Sequence, residues 1–461
     1  MQQTKNNDFL GKDPLGGLLF KLALPTITAQ IVNMLYNVVD RVYIGHMEGV
    51  GDLALTGVGV CMPLIMIISA FAALVAGGGA PRASIFMGQG DNDSAERTMG
   101  SCFGLQCIIS VVLTVAMVIF HRPLLLAFGA SENTIQYAAD YMLIYSFGTI
   151  FVQLTLGMNA YITAQGFAKF GMMTVVIGAI SNIILDPIFI FAFDMGVRGA
   201  AVATVVSQAI SCVWVVLFLG SKKSILRLKL STIKISPKFV LPCIALGSAH
   251  FIMQASESVI SVCFNSSLQG YGGDVAVGAM TILTSVMQFA MLPLQGLAQG
   301  AQPIISYNYG AKNKERVKGI FKLLLTCSLI YSITVWASVM LFPRAFASIF
   351  TSEAALLDFT ASALRIYCAV LCIFGIQVAC QMTFVSLGKA LSSVVVAVVR
   401  KFVLLLPLIY IVPAFFGEEM KTTAVYLAEP IADTLAVTFT AILFTIQFKK
   451  ALKSMDEEPN L

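Results

Sequence analysis

Twelve apolar segments, each about as long as a membrane span, follow one another along this chain of 461 residues. A helix needs about 20 mostly apolar residues to cross the hydrocarbon core of a bilayer. Only 11% of the residues are charged, whereas soluble domains average about a quarter. We therefore predict an all-α integral membrane protein with twelve transmembrane helices. The predicted helices cover residues 17–43, 54–80, 99–120, 137–160, 170–193, 199–220, 239–266, 276–304, 319–342, 361–386, 393–416 and 422–448.

The chain contains an internal repeat. Asp52-Leu-Ala-Leu matches Asp274-Val-Ala-Val at an offset of 222 residues, and Pro187 matches Pro407 at an offset of 220. Six helices in each copy place both copies the same way up, so an axis along the membrane normal relates them. We predict an N-lobe (1–220, helices 1–6), a basic cytoplasmic linker (221–238), a C-lobe (239–448, helices 7–12) and a cytoplasmic tail (449–461).

The basic residues are concentrated on one side of the predicted helices. With the N-terminus inside, all but six of the 29 Lys and Arg residues fall in cytoplasmic segments or at cytoplasmic helix ends, Arg400 and Lys401 among them. This asymmetry predicts a multi-pass protein of the inner (plasma) membrane with both termini in the cytoplasm. The polar first fifteen residues contain no apolar core followed by a cleavage site, so we expect helix 1 to be retained. Contact with membrane lipids explains the basic clusters better than nucleic-acid binding does.

One carboxylate, Asp186, interrupts the apolar run of helix 5. A charge deep in a membrane helix is costly and is by default functional. Pro187 cannot donate to the carbonyl of Ile183, so a kink would leave that oxygen free beside the carboxylate, with Asn182 one turn away. The second copy keeps the proline but has Leu406 in place of the aspartate. The kink therefore belongs to both halves, whereas the acid serves the first half alone.

Helix 1 carries a polar stripe at helical spacing, which should face protein or a water-filled cavity rather than lipid. Its acid, Asp40, is predicted at the same depth as Asp186. Two close carboxylates do not both stay ionised at low cost, so we expect this pair to hold a proton or a cation. An ion pair between Asp40 and Arg41 is the alternative. The stripe consists of Gln30, Asn33, Asn37 and Asp40, with Tyr36 beside it.

Helices 7 and 12 carry further polar groups. Glu257 on helix 7 would attract a cationic substrate or form a second coupling site, and a hydrogen-bond network between helices is the alternative. Glu429 and Asp433 near the start of helix 12 favour a structural role or a charge at a cavity mouth. Methionines such as Met287 suit adaptable apolar binding, although ordinary packing explains most of them. The helix 7 stripe consists of His250, Gln254, Glu257, Ser258, Ser261 and Asn265.

Three strings in this sequence resemble the multidrug and toxic compound extrusion (MATE) family, most of all its bacterial MepA-like branch. They are LALPTITAQIVNMLYNVVDRVYIG in helix 1, SNIILDPIFIFAFDMGVRGAAVAT across helices 5 and 6, and NSSLQGYGGDVAVGAM after helix 7. The resemblance implies two six-helix lobes and export of organic cations and drugs in exchange for Na⁺ or H⁺. Because the chain has no GxxxxGK[ST] motif for ATP, an ion gradient as the energy source is consistent with that expectation.

The resemblance also assigns roles to single residues. It implies an ion-coupling site in the N-lobe, with Na⁺ or H⁺ held by Asp40, Asp186 and Asn182. Gln377 and Gln381 occupy helix 10, where some members have an acid, so C-lobe coupling is not expected. We expect no other cofactor, a monomer, and small cationic or lipophilic substrates. The predicted ion-coupling residues are Asp40, Asp186, Asn182, Thr204 and Asn159. The predicted substrate contacts are Glu257, Gln254, Tyr36, Asn33 and Met287.

Three other classes share part of this pattern. A lipid-linked oligosaccharide flippase would have a strongly cationic cavity, whereas the deep charges predicted here are acidic. An intramembrane aspartyl enzyme using Asp40 and Asp186 would need a GxGD motif, which Tyr271-Gly272-Gly273-Asp274 imitates poorly. A major-facilitator transporter would carry a basic motif after helix 2, and residues 82–97 lack it. We therefore predict a membrane antiporter rather than an enzyme.

Overall fold

The computed structural model describes residues 8–351 and 353–456. Residues 1–7 of the predicted N-lobe, Ser352, and residues 457–461 of the predicted tail lie outside this range. Within it, nine continuous helices are long and apolar enough to cross a membrane, and two bent pairs of helices add two more spans. The continuous helix Pro237–Gly310 holds two spans, because Gly273 breaks it with φ 61° and ψ −158°. The described residues thus contain the twelve predicted spans.

We number these spans α1 to α12 in chain order. The first half of the chain forms α1 (Leu15–Gly45), α2 (Gly51–Gly88), α3 (Asn92–Ala127), α4 (Ile135–Phe147 and Thr149–Ala164), α5 (Ala168–Ala192) and α6 (Gly196–Gly220). The second half forms α7 (237–272), α8 (274–310), α9 (Lys314–Leu341), α10 (Ala354–Tyr367 and Leu371–Ser386), α11 (Ala390–Ala414) and α12 (Lys421–Ser454). Short helices lie at Asp8–Lys12, Leu230–Thr232, Pro343–Ser348 and Glu418–Met420.

The prolines that the repeat aligns both lie beside a π-helical turn. In α5 the turn Ile188–Ala192 follows Pro187, and in α11 the turn Val399–Leu405 precedes Pro407. Proline removes one backbone donor and so interrupts the hydrogen-bond ladder of a helix, and π-helical turns occur where that ladder is locally irregular. The distortion therefore occurs in both copies, as the shared proline predicts.

Apolar side chains form separate cores in the two halves of the chain. One core contains Ile44, Ile68 and Tyr141 of the first half, and another contains Phe264 and Tyr426 of the second. A third cluster joins the halves: it packs the start of α1 against α8, α9 and the end of α12. The members that show this are Leu18, Leu22, Ile304, Leu324 and Met455. The division into two lobes stays a prediction.

Glycines let α2 and α7 cross with their backbones in contact. A Cβ on Gly78 would lie 1.9 Å from the carbonyl oxygen of Cys243, and one on Gly247 would lie 1.7 Å from that of Leu74. Small residues permit such close approach between membrane helices, where packing rather than the hydrophobic effect drives association. This crossing fixes the distance between the two halves on one side of the molecule.

The predicted linker, 221–238, is docked onto the first half rather than running free. The side-chain oxygen of Gln165, at the end of α4, accepts hydrogen bonds of 2.8 Å from the backbone N–H groups of both Ile225 and Leu226. Glu96 on α3 accepts a 2.5 Å bond from Nζ of Lys229. These contacts link the connecting segment to α3 and α4, which its polar composition did not predict.

The N-terminal helix Asp8–Lys12 bridges the two halves. The guanidinium of Arg316 on α9 donates to the carbonyl oxygens of Leu10, at 3.1 Å, and Asp13, at 2.8 Å. On the opposite side, the ring of Phe9 lies over Gly166, where a Cβ would come within 2.4 Å of it. The segment is therefore held by groups from both halves.

Candidate functional site

The carboxyl groups of Asp40 on α1 and Asp186 on α5 lie within hydrogen-bonding reach of each other. Both residues are buried, with 6% and 0% of their surface exposed. Asn182, one turn before Asp186, donates a 3.1 Å hydrogen bond from Nδ2 to Oδ1 of Asp186. An edge contact between the rings of Tyr43 and Phe191, 6.4 Å apart, packs the two helices at this level. The structure therefore brings together the two acids that the sequence places at matching depth.

Three buried oxygen atoms of this group have no hydrogen-bond partner among the described residues. They are Oδ1 of Asp40, Oδ2 of Asp186 and Oδ1 of Asn182. Buried polar atoms are nearly always paired, and an ionised carboxylate can only accept. A proton, a water molecule or a cation would therefore satisfy each carboxylate oxygen, and a water molecule or a cation would satisfy the amide oxygen. Two carboxylates and an amide are hard oxygen ligands, so the donor set suits Na⁺, and the carboxylates by themselves suit H⁺.

Hydroxyl groups surround the acid pair. Tyr36 and Tyr141 both lie within electrostatic range of Asp40. The side chains of Tyr141 and Thr204 are neighbours, and the hydroxyl of Thr204 donates to the carbonyl of Ala200 at 3.0 Å. Thr204 thus joins the site through its neighbour Tyr141.

Two residues predicted as partners of the acids, Asn159 and Arg41, form no hydrogen bond or ion pair with them among the described residues. Asn159 on α4 donates to the carbonyl of Gly171 at 3.2 Å, and Gly171 precedes Asp186 by 15 residues, about 22 Å along a helix. Asn159 is therefore not brought to the acid pair. Arg41 is exposed and makes no ion pair with Asp40 within the described part of the chain, so the alternative ion pair is not formed.

The predicted substrate contacts are spread over three helices. Tyr36 lies at the acid pair, while Asn33, one turn earlier on α1, is exposed. Gln254 and Glu257 lie on α7, the former half-buried and the latter exposed. Met287 on α8 packs against the core of the second half. The polar stripe of helix 1 faces two different helices. Gln30 donates to Gln299 on α8 at 3.2 Å, whereas Asp40 faces α5.

The second half contains a buried ionic cluster that includes two basic residues. On α11, Nζ of Lys401 lies 2.6 Å from a carboxylate oxygen of Glu257 on α7. Its neighbour Arg400 pairs with Asp433 at 2.9 Å and lies 3.7 Å from Glu429, both on α12. The assignment of Arg400 and Lys401 to a cytoplasmic helix end was wrong, because both are buried near the middle of α11. The deep charges are therefore not all acidic.

The internal repeat contains a signal for the residues that sequence reasoning missed. Tyr141 corresponds to Ala363 at the offset of 222, so its hydroxyl occurs in one copy only. Arg400 corresponds to Ile180 at the offset of 220, so the basic pair is likewise confined to one copy. Comparing every polar residue with its counterpart, rather than the acids alone, would have singled out both.

A family model decides what kind of chain this is. The MatE model matches residues 25–188 and, a second time, residues 249–411. The chain belongs to the MatE family. The second match begins 224 residues after the first, in agreement with the internal repeat.

Curated relatives of this MatE protein include the multidrug export proteins MepA of Staphylococcus saprophyticus and Staphylococcus aureus. Both are 22% identical to it, over 92% and 94% of this chain and 93% and 95% of theirs. A crystal structure of MATE in the bent conformation matches with a TM-score of 0.91 at 22% identity, and covers 98% of this chain and 99% of that one. The MATE resemblance and the twelve-helix fold predicted from sequence are therefore confirmed.

Proposed function

We propose that this MatE protein is a secondary active transporter that exports organic cations and drugs in exchange for Na⁺ or H⁺. The observation that carries the proposal is the set of three unpartnered, buried oxygens on Asp40, Asp186 and Asn182. Export of drugs follows the names of the MepA relatives, which are multidrug export proteins. The activity proposed for this protein is transport rather than catalysis.

The acid pair supplies a physical reason for coupling. Without a bound ion, two ionised carboxylates within hydrogen-bonding reach repel each other strongly in a buried site. A proton or Na⁺ removes that repulsion and holds α1 against α5 through Asp40 and Asp186. The ion and the drug then need not touch, because it suffices that each favours a different conformation. Ion entry would release the drug outward, and loss of the ion to the cytoplasm would allow the next drug to bind.

The deciding experiment measures uptake of a cationic dye into proteoliposomes under separately imposed Na⁺ and H⁺ gradients. Wild type is expected to respond to at least one gradient, and Asp186→Asn to neither. Asp93→Asn is the matched control, since Asp93 is an acid of the first half that pairs with Arg97 at 2.9 Å in the first turns of α3. Full gradient-driven transport by Asp186→Asn would refute the site. No response of wild type to either gradient, across several dyes, would refute the function.

The buried bases on α11 bear on the flippase alternative. Arg400 and Lys401 each pair with a carboxylate, and the cluster contains three acids against two bases. These bases therefore do not create the cationic cavity that an anionic lipid-linked sugar would require. We accordingly propose a monomeric drug transporter of the inner (plasma) membrane, with both termini in the cytoplasm and two lobes related by the repeat.

A further inference from the structure

The ionic cluster of the second half is divided between a buried side and an exposed side. The side chain of Lys401 is 5% exposed, whereas that of its partner Glu257 is 56% exposed. Arg400, Glu429 and Asp433 are also nearly buried, at 10%, 6% and 7%. Glu257 is therefore the one member of the cluster that an incoming molecule meets first.

Glu257 lies on the face of α7 that points at α2 two turns earlier. The imidazole of His250 would be the nearest contact of a Cβ on Gly77, at 2.9 Å, so His250 points at α2. Glu257 follows His250 by seven residues on α7, which places both on one helix face two turns apart. The ring of Phe251 also contacts Phe71 of α2, with centroids 5.1 Å apart. At the level of Glu257 this face of α7 is open, because the Glu257 side chain is 56% exposed.

The charges of the cluster do not balance. With all five groups ionised, three carboxylates face two bases, which leaves one negative charge unmatched. The weakest pairing belongs to Glu429, which lies 3.7 Å from Arg400, whereas Asp433 holds the same guanidinium at 2.9 Å. Glu429 also lies within electrostatic range of Lys401. A second carboxylate is thus available to Lys401 inside the cluster.

We propose that a monocationic substrate binds Glu257 by replacing the ammonium of Lys401, which then pairs with Glu429. Simple displacement would leave a buried ammonium without a partner, which is strongly unfavourable. Transfer of Lys401 to Glu429 avoids this. The substrate then supplies a third positive charge, so that three cations face the three carboxylates of the cluster. In the absence of substrate Lys401 occupies the position of the substrate's charge at Glu257, so the site accepts a molecule with one positive charge. This inference rests on the proposed function for its substrate class, and it assigns the binding site.

The test is equilibrium binding to purified protein in detergent, without any gradient. The probes are tetraphenylphosphonium and tetraphenylborate, which share size and shape but carry opposite charges. Wild type should bind the cation and not the anion. Glu257→Gln should weaken cation binding at least tenfold, because it removes the contact carboxylate. Asp93→Asn is the control for loss of a remote acid. Tight binding of tetraphenylborate by wild type would overturn the proposal, since the bases would then face the ligand.

Glu429→Gln separates the transfer of Lys401 from simple attraction to Glu257. Glu429 is buried and would not meet the ligand, yet its loss should weaken cation binding about tenfold because Lys401 has no second partner. Lys401→Met should strengthen cation binding at least tenfold, whereas Lys401→Arg should stay near wild type. Unchanged binding by Glu429→Gln, or weaker binding by Lys401→Met in a variant of normal thermal stability, would refute the transfer. If Lys401→Met does not fold, Glu429→Gln decides.

These outcomes differ from those that test transport. Binding without a gradient does not depend on ion coupling at Asp40 and Asp186. If wild type fails in the proteoliposome assay while the binding pattern appears, the proposed antiport is wrong and the cation site stands. If antiport is observed while Glu429→Gln binds normally, the transfer of Lys401 is wrong and the proposed function stands.

Discussion

The side chain of Asn182 donates a 3.1 Å hydrogen bond to the Asp186 carboxylate, and both residues are buried. The bond leaves Oδ1 of Asn182 and Oδ2 of Asp186 without a partner within the described residues. The amide therefore orients the acid on one side and presents an oxygen on the other.

Asn182→Ala tests this role. A hydrogen bond to a charged group contributes about 1.5–3 kcal/mol, so we expect the apparent affinity for the coupling ion to fall about tenfold or more. The measurement is dye transport in proteoliposomes as a function of Na⁺ and of pH. Asn159→Ala is the matched control: the same side chain, hydrogen-bonded to Gly171, should leave the ion affinity unchanged. Equal effects of the two substitutions would contradict the assignment of Asn182.

Tyr141→Phe should alter ion affinity through Thr204. The substitution removes a hydroxyl that neighbours Thr204 and lies within electrostatic range of Asp40, and a neutral polar interaction of this kind contributes about 1 kcal/mol. We expect a change of roughly three- to tenfold in the apparent ion affinity. Thr204→Val and the double variant complete a cycle, in which coupled residues give non-additive effects. Additive effects would show that the two hydroxyls act separately.

Arg316→Ala should loosen the N-terminal helix. The guanidinium donates to two backbone carbonyls, those of Leu10 and Asp13, and to Oδ1 of Asn308 at 3.1 Å. Losing these bonds exposes the segment, so we expect faster proteolytic cleavage within residues 8–14 and a lower unfolding temperature. Lys318→Ala, which removes only the exposed pair with Glu315 at 3.1 Å, should have little effect because such pairs contribute about 0–1 kcal/mol. Equal cleavage rates in both variants would argue against the bridge.

Asp91 and Asn313 form the same helix cap in the two copies, at the offset of 222. Asp91 accepts from the N–H of Ser94 at 3.0 Å, and Asn313 accepts from that of Arg316 at 3.3 Å. Replacing either by Ala should destabilise the start of its helix by about 1 kcal/mol. Hydrogen exchange in the first turn of α3 and α9 measures the loss. No change in exchange at either turn would contradict the cap.

The two caps should differ in their response to pH. Hydrogen bonds from Ser94 hold the pKa of Asp91 below its ordinary value. A carboxylate with a lowered pKa stabilises the folded state above the unfolded pKa, about 3.9, and that stability is lost as pH falls through the folded value. The Asp91 cap should therefore be constant at neutral pH and weaken only in acid, whereas the uncharged Asn313 cap should not change. Hydrogen exchange corrected for intrinsic rates separates the two.

The sequence by itself determined the twelve helices, the repeat and the two candidate acids. Span length and apolarity are properties of contiguous residues, so α1 to α12 can be located without any knowledge of their neighbours. The repeat then separated Pro187, which both copies share, from Asp186, which one copy has. Equal depth along two parallel helices permitted Asp40 to pair with Asp186, and the family resemblance assigned both acids to one site.

Only the tertiary structure decided which side chains meet. Arg400 and Lys401 were assigned to a helix end although they follow the start of the predicted span 393–416 by seven and eight residues, because nothing in the local sequence identifies their partners. Their acids lie on α7 and α12, and the rotation of three helices about their axes brings them together. The rotation of α4 about its own axis likewise directs Asn159 to Gly171 and away from Asp186. Local composition predicts where a membrane helix forms, whereas side-chain pairing depends on how helices distant in sequence rotate and pack against one another.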